Sequence, residues 1–406
     1  MPFKRRRILI TGIGGFVGSH LARYLFDQGA VIYGLDRTEG ALYKNWPDAA
    51  TAREIQFIKG DIQQISSITK ALDQSKPDFV FHLAAHSFDP SSFTSPSDVV
   101  AINSLGTANL LEAVRVNHCD SKIVFAGSSE EYGLVISSED NLESATKRYG
   151  SIFPAPRRIP ELPINEENPL RPISPYGVSK IHGELLMRNY YHSYGIRTVV
   201  SRAFNHEGAG RGPMFVTSVI TSQVVRLKRG SIDRISIGNV SALRDWSHVE
   251  DIVRGYCLLA LKGENGGVYN QGSQRANSVI SHILLCLEEI GYNVNRIETF
   301  SGGKGVESPT QIDNSDVHGV QFEKTRIDTM LLNRELEYVI EDKGLNVHTD
   351  KGKIPIEFDP SRFRPTDVPI LLADIGKIKT LGFAPKYTLR DIIREQLNSY
   401  LDVGRG

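Results

Sequence analysis

Three cysteines in 406 residues leave little room for thiol chemistry. Cys119, Cys257 and Cys286 are odd in number, widely separated and without any C-x-x-C spacing. That excludes a disulfide scaffold and a cysteine-built zinc site, and fits packing roles in a reducing compartment. An excess of one charge is missing too: 47 Lys+Arg balance 47 Asp+Glu. Nucleic-acid and membrane-surface binders rely on a basic excess to offset phosphate, so neither partner is expected. Long apolar runs are also lacking. The one basic run, Lys4 to Arg7, precedes an apolar stretch at 8–10 that Gly12, Gly14 and Gly15 soon break. It is too short for a signal h-region or a membrane span, and a cytoplasmic location is expected. No internal repeat or low-complexity tract occurs, and no metal is needed for stability.

What the chain has is length, 40% hydrophobic residues and 36 glycines. This suffices for one large α/β unit or two domains with a substantial core. Short β-rich runs at 7–11, 30–35, 55–59, 79–83, 122–126 and 198–202 alternate with helical spacing at 19–28, 65–74, 103–115 and 176–194. The rhythm predicts βαβ units in a Rossmann-type, doubly wound parallel sheet with right-handed crossovers. After residue 204 the pattern becomes irregular, with helical stretches at 216–227, 248–261 and 279–290. A smaller mixed α/β substrate domain is expected there. The division reads 1–204 plus about 237–265 for the dinucleotide-binding domain, and 205–236 plus about 266–406 for the second. Two segments, 135–168 and 309–358, look like insertions: a lid, an oligomer contact or disordered surface. A ligand is expected in the cleft beyond the carboxyl ends of the strands.

Residues 8–18 read ILITGIGGFVG, a strand entering a glycine-rich turn and then a helix near Phe16 and Val17. Gly12 permits the tight turn, Gly15 lets backbone N–H groups approach a pyrophosphate, and Gly18 allows close packing of helix on strand. Asp36, ending the second strand, can hold a ribose 2′-OH, which favours NAD over NADP. Arg37 beside it can instead pair with a 2′-phosphate. Asp61 and Ile62 after the third strand, and Leu83, Ala84 and Ala85 after the fourth, are expected to line the adenine and ribose sides.

Tyr176 and Lys180 open a helix after Pro175, and their i, i+4 spacing puts phenol and ammonium on one face. A cation nearby favours the phenolate, so Tyr176 can accept a hydroxyl proton while a nicotinamide takes hydride from the same carbon. A lone Y-x-x-x-K is commonplace on helix surfaces. Its weight comes from its place downstream of the glycine turn. The fifth strand ends in Gly127-Ser128-Ser129-Glu130-Glu131-Tyr132-Gly133, which sets hydroxyls and a carboxylate at the sheet's carboxyl edge. There Ser128 can bond a reacting oxygen, and Glu130 can remove a proton beside a carbonyl.

TGIGGFVG together with Y-x-x-x-K resembles the extended short-chain dehydrogenase/reductases that act on nucleotide sugars. Further stretches resemble the GDP-mannose 4,6-dehydratase family within them: Ser92-Phe93-Thr94-Ser95-Pro96, Asn205-His206-Glu207 with Arg211-Gly212 and Phe215-Val216-Thr217, Ala242-Leu243-Arg244-Asp245-Trp246, and Arg362 through Val368. The resemblance covers most of the chain outside the two apparent insertions. It implies a lyase in which Ser128 takes the place of a catalytic Thr, Ser129 assists, Glu130 is the acid/base, and Tyr176 and Lys180 form the oxidation pair. It implies cofactor contacts for His206 and Arg211, the Arg across a subunit boundary in a homodimer or homotetramer. Ser87 would meet cofactor and substrate, while Asn205, Val216, Arg244 and Arg364 would hold sugar and diphosphate. Arg suits that task, since its planar fork donates bidentate charged bonds.

The chain departs from the family where the loop reads GGFVG in place of a Gln-Asp pair, and where Asp36 stands on the ground of an NADP-selecting arrangement. GSSEEYG and SPYGVSK also resemble GDP-4-keto-6-deoxymannose reductases. A reductase, an epimerase on the same scaffold and a non-catalytic dinucleotide sensor therefore stay open beside the dehydratase.

Overall fold

Alternation along the first strand sets the architecture of the computed structural model, which describes residues 1–38, 54–87, 92–363 and 368–402. In β1 (Arg7–Thr11), Ile8 and Ile10 enter one core with Leu21 and Leu25 of α1 (Phe16–Asp27). Leu9 enters another, with Ile68 and Leu72 of helix Ile65–Ser75 and with Leu110 and Leu111 of helix Gly106–Val116. Successive side chains of a strand point to opposite faces, so a strand with three apolar residues in a row, Ile8 to Ile10, needs helices on both sides. Each such side chain, fully buried, contributes about 1.5–3 kcal/mol.

β2 (Val31–Asp36), β3 (Gln56–Lys59), β4 (Phe79–His82), β5 (Lys122–Ser128) and β6 (Thr198–Ala203) join β1 in a seven-stranded sheet. From one edge the order is Gly267–Gln271, β6, β5, β4, β1, β2, β3, and every pairing is parallel. The connections reverse direction between β1 and β4. A crevice therefore opens beyond the carboxyl ends of those two strands.

The seventh strand corrects the expected boundary near 266. Gly267–Gln271 pairs with β6 and belongs to the parallel sheet. Conversely, of the stretch 237–265 only helix Val249–Lys262 packs on that sheet, while Leu243–Arg244 pairs with Asn277–Ser278 and Ile235–Ile237 with the second sheet.

The second sheet has five strands, in the order Gly305–Glu307, Val294–Thr299, Gly344–Thr349, Gly352–Phe358 and Ile235–Ile237. Segment 309–358 is thus not an added lid. Two of its strands, Gly344–Thr349 and Gly352–Phe358, lie inside this sheet, with Leu345, Val347 and Ile356 fully buried. Within 135–168, Val135, Ile136, Leu162 and Ile164 are buried, and Glu161 pairs with Arg171 out of solvent. Helix Glu139–Tyr149, burying Ala145 alone, and residues 150–160, none of them buried, lie outside. No described helix is long and apolar enough to cross a membrane.

Candidate active site

The glycine turn explains itself locally. Gly12 has φ +74°, and a Cβ there would stand 2.8 Å from the Ala84 backbone. A Cβ on Gly18 would run into the Gly12 carbonyl, so α1 sits against β1 only with glycine at that point. Gly15 caps α1 without a side-chain hydrogen bond, leaving first-turn N–H groups for an anion. Asp36 bounds the same space at the end of β2. Its Oδ2 accepts from Gly14 N at 3.0 Å and its Oδ1 from Arg37 N at 2.7 Å.

This turn opens a cavity of about 900 Å³. Its floor holds Gly12, Gly15, Phe16, Val17 and Gly18, and one wall holds Asp36, Arg37, Asp61 and Ile62. Leu83, Ala84, Ala85 and Ser87 form the opposite wall, and Tyr176, Lys180, His206 and Arg211 its inner end. The shape, the helix N-terminus and a carboxylate at the far edge fit a dinucleotide. Behind Ala84 the support is polar and dry. Ala84 N donates to Thr11 Oγ1 at 3.2 Å, and the His82 ring bridges Thr11 and Thr107 at 2.8 and 3.0 Å. Burial first, then the Lys180 charge, lower the His82 pKa to about 3, so this ring is neutral.

A second cavity, of about 550 Å³, adjoins the first. Ser87, Tyr176, His206 and Arg211 line both. Ser128, Ser129 and Glu130 enter it from the end of β5, and Asn205, Val216 and Arg244 from the second domain. Arg364 lies outside the described residues.

The helix that carries Tyr176 starts at Ser174, whose Oγ accepts from Gly177 N at 3.0 Å, with Pro175 in its first turn. Lys180, one turn on, donates from Nζ to the Ala126 carbonyl at 2.8 Å and sits 5.7 Å from the centre of the Tyr176 ring. Burial brings its pKa down to about 8, while Glu131 acts to raise it. The ammonium is therefore an electrostatic neighbour of the phenol, held by a carbonyl of β5.

At the junction, His206 donates from Nδ1 to the Phe204 carbonyl at 2.9 Å and lies parallel to the Phe16 ring. Burial, then Arg211, bring its pKa to about 3. Arg211 is 12% exposed, with Nε 3.3 Å from Glu207 and its guanidinium 3.5 Å above the Phe215 ring. Arg244 spends Nη1 on the Leu243 and Val368 carbonyls at 3.0 and 2.6 Å, which aims its fork along the second cavity's wall.

Several wall residues carried no sequence signal. Tyr256 reaches the first cavity from an apolar helix, and Val279 reaches the second from the far domain. Asn103 was read only as a helical position. The helix begins regularly at Gly106, and the wider turn before it, Val100–Leu105, aims Asn103 at His86 N (2.7 Å) and Ser179 Oγ (2.9 Å). That ties the loop after β4 to the Tyr176 helix. Among the described residues no group of three or more His, Cys, Asp or Glu is placed to hold a metal ion.

The GDP-mannose 4,6 dehydratase family model matches residues 9–339. A GDP-mannose 4,6-dehydratase of Vibrio cholerae is 30% identical over 406 residues, covering 97% of this chain and 93% of the relative. Its Yersinia enterocolitica counterpart is 29% identical over 402 residues, covering 97% and 93%. Among solved structures, RMD from Pseudomonas aeruginosa complexed with NADPH is similar, with TM-score 0.67 and 23% identity over 98% of this chain and 99% of that one. UDP-glucose 4-epimerase of Thermus thermophilus with NAD has TM-score 0.66 and 22% identity, covering 97% and 99%. At these identities the two structures speak for the fold.

Proposed function

The chain belongs to the GDP-mannose 4,6-dehydratase family, lyases of the extended short-chain dehydrogenase/reductase type, and on that premise we propose that it removes water from a nucleotide-diphosphate hexose, GDP-mannose. The observation that carries the reading is the shared wall of the two cavities. Tyr176 faces both, and Ser128 and Glu130 stand in the second beside it. A hexose there would meet a phenol at one carbon and a carboxylate near the next.

Tyr176 takes the C4 hydroxyl proton as the C4 hydride departs, which leaves a 4-keto sugar. The Lys180 ammonium favours the phenolate that does this. Ser128, at the end of β5, bonds the C4 oxygen. The ketone acidifies C5–H, and Glu130 takes that proton. Glu130 then passes it to the C6 hydroxyl, which leaves as water, with Ser129 helping to hold the group. Tyr176 keeps the C4 oxygen in place and releases the proton it took to solvent, while C6 gains hydride and C5 a solvent proton relayed by Glu130, giving GDP-4-keto-6-deoxymannose. A nicotinamide dinucleotide held in the first cavity would supply the hydride acceptor for C4 and the hydride for C6, so none would be consumed. Gly12 to Gly18 and the start of α1 would hold its pyrophosphate, and Asp36 its ribose. Asp36 supports NAD, because a carboxylate at that edge accepts from a 2′-OH and repels a 2′-phosphate. Arg244 would hold the sugar's diphosphate, joined by Arg364.

The test is incubation with GDP-, UDP- and dTDP-hexoses and a catalytic amount of NAD. A product lighter by one water, from GDP-mannose and without net NADH, is expected. Steady NADH oxidation on a 4-keto sugar, with no loss of water, would make the chain a reductase.

A further inference from the structure

Glu131 lines neither cavity, yet its carboxyl is fully buried directly behind the two segments that carry the chemistry. Its Oε1 accepts from Ser128 N at 2.8 Å, and Ser128 Oγ in turn accepts from Glu130 N at 3.2 Å. The single turn Ser129–Glu131 is thereby closed on itself as a reciprocal cap. The other oxygen, Oε2, is buried with no donor within hydrogen-bond reach and stands 3.6 Å from Arg202 Nε.

Arg202, on β6, is itself claimed by a second acid. Its Nε and Nη2 each donate to Glu184 at 2.7 Å, and its Nη1 donates to Tyr132 Oη at 3.0 Å. Glu184 is fully buried and lies on the helix of Tyr176 and Lys180. The spacing 176, 180, 184 puts all three on one helix face. Two carboxyls and one guanidinium thus join the end of β5, β6 and the catalytic helix away from water.

We propose that Glu131 is a positioning residue: with Arg202 and Glu184 it braces the Ser128–Glu130 turn against the Tyr176 helix, holding hydroxyl, carboxylate and phenol at working distance. The inference rests on the reading of those three residues given above. Glu184 has Arg202 and, 3.6 Å away, Arg188, while Glu131 faces Arg202 and feels the Lys180 charge. Burial opposes ionisation of Glu184, but bidentate pairing with Arg202 keeps its pKa below the usual carboxylate value, whereas burial and then the neighbouring Glu184 push the Glu131 carboxyl well up. Glu131 accepts from Ser128 N with one oxygen and turns the other towards Arg202. A Gln there offers the same acceptor, whereas Ala or Leu does not.

The experiment compares E131A, E131L and E131Q in the full-length protein. E131L fills the space and so serves if E131A does not fold. For E131A and E131L, kcat on GDP-mannose should fall about tenfold to a hundredfold, the scale of a misplacement near 1 Å, with KM and NAD affinity little changed. Amide exchange at Ser128 and Glu130, read without substrate, should quicken in both. E131Q should recover most of the lost kcat and the slow exchange. Parental kcat in E131L, or an E131Q no better than E131L, overturns the proposal. If exchange responds as described but the parent itself does not act on GDP-mannose, the substrate reading has failed and the brace has not.

Discussion

Asp36→Asn isolates one charge at the edge of the first cavity. The carboxylate takes two backbone donors, Gly14 N through Oδ2 and Arg37 N through Oδ1. An amide retains one carbonyl acceptor for the loop, so the fold is expected to survive. A hydrogen bond to a charged group contributes about 1.5–3 kcal/mol and one between neutral partners about 0.5–1.5. Losing the charge therefore costs NAD roughly 1.4 kcal/mol, or about tenfold in Kd. For NADP the sign reverses. Asp36 is half-buried, so its repulsion of a 2′-phosphate, discounted for the solvated rim, comes to about 1–2 kcal/mol. Removing it should tighten NADP by about tenfold, and the NAD/NADP preference should fall about a hundredfold in all. Titration of cofactor-stripped protein with NADH and NADPH, followed by fluorescence, measures both constants. A parent that binds NADPH as tightly as NADH, or an unchanged ratio in the variant, refutes the argument.

Tyr176→Phe should lower turnover by about 10²–10⁴-fold, the usual worth of a positioned proton acceptor, while NADH titration finds cofactor affinity nearly intact. Glu130→Gln should still oxidise C4, seen as a single-turnover rise of NADH absorbance, but should release no water and wash no deuterium into C5. The alkaline limb of kcat/KM should lie near pH 8, where Lys180 loses its cation. The stability term from the same group has the opposite sign. Its native pKa is depressed, so the unfolded chain binds the extra proton and stability from this residue rises between pH 8 and its unfolded value near 10.4. Denaturant midpoints for the parent and Lys180→Met across that range separate the two effects. Ile356→Ala, in the second sheet, should lower stability by about 2–5 kcal/mol, and deletion of 309–358 should leave no cooperative transition by circular dichroism.

The Tyr176 phenol, the Ser128 hydroxyl and the Glu130 carboxylate come from two segments nearly fifty residues apart in sequence. β5 and the following crossover bring them to one edge, and the second domain closes over it with Asn205, Val216 and Arg244. The contribution of the second domain is mostly cations and apolar wall. The contribution of the sheet's edge and its crossover helix is the proposed reactive groups. This division follows from rigidity: strand ends in a sheet buried on both faces hold their side chains more firmly than loops do.

The primary structure alone determined what local rules control. The turn at Gly12 needs a positive φ, β1 reads apolar from Ile8 to Ile10, and Tyr176 and Lys180 share a helix face whatever surrounds them. These depend on neighbours within a turn or a strand, and so the parallel sheet, the dinucleotide cavity and the phenol–ammonium pair were legible. Tertiary structure decided the rest. Residues 344–358 read as part of an insertion because their partners, 294–299 and 235–237, lie far off in the chain, and strand pairing at such separation leaves no local trace. Tyr256 looked like one more apolar helix position until packing turned it towards a cavity. Glu131 looked like a polar loop residue, and only the meeting of β5, β6 and the helix of Tyr176 drew it out of water. Backbone preference is set by each residue's own sterics, whereas burial of a charge is set by what the folded chain brings beside it.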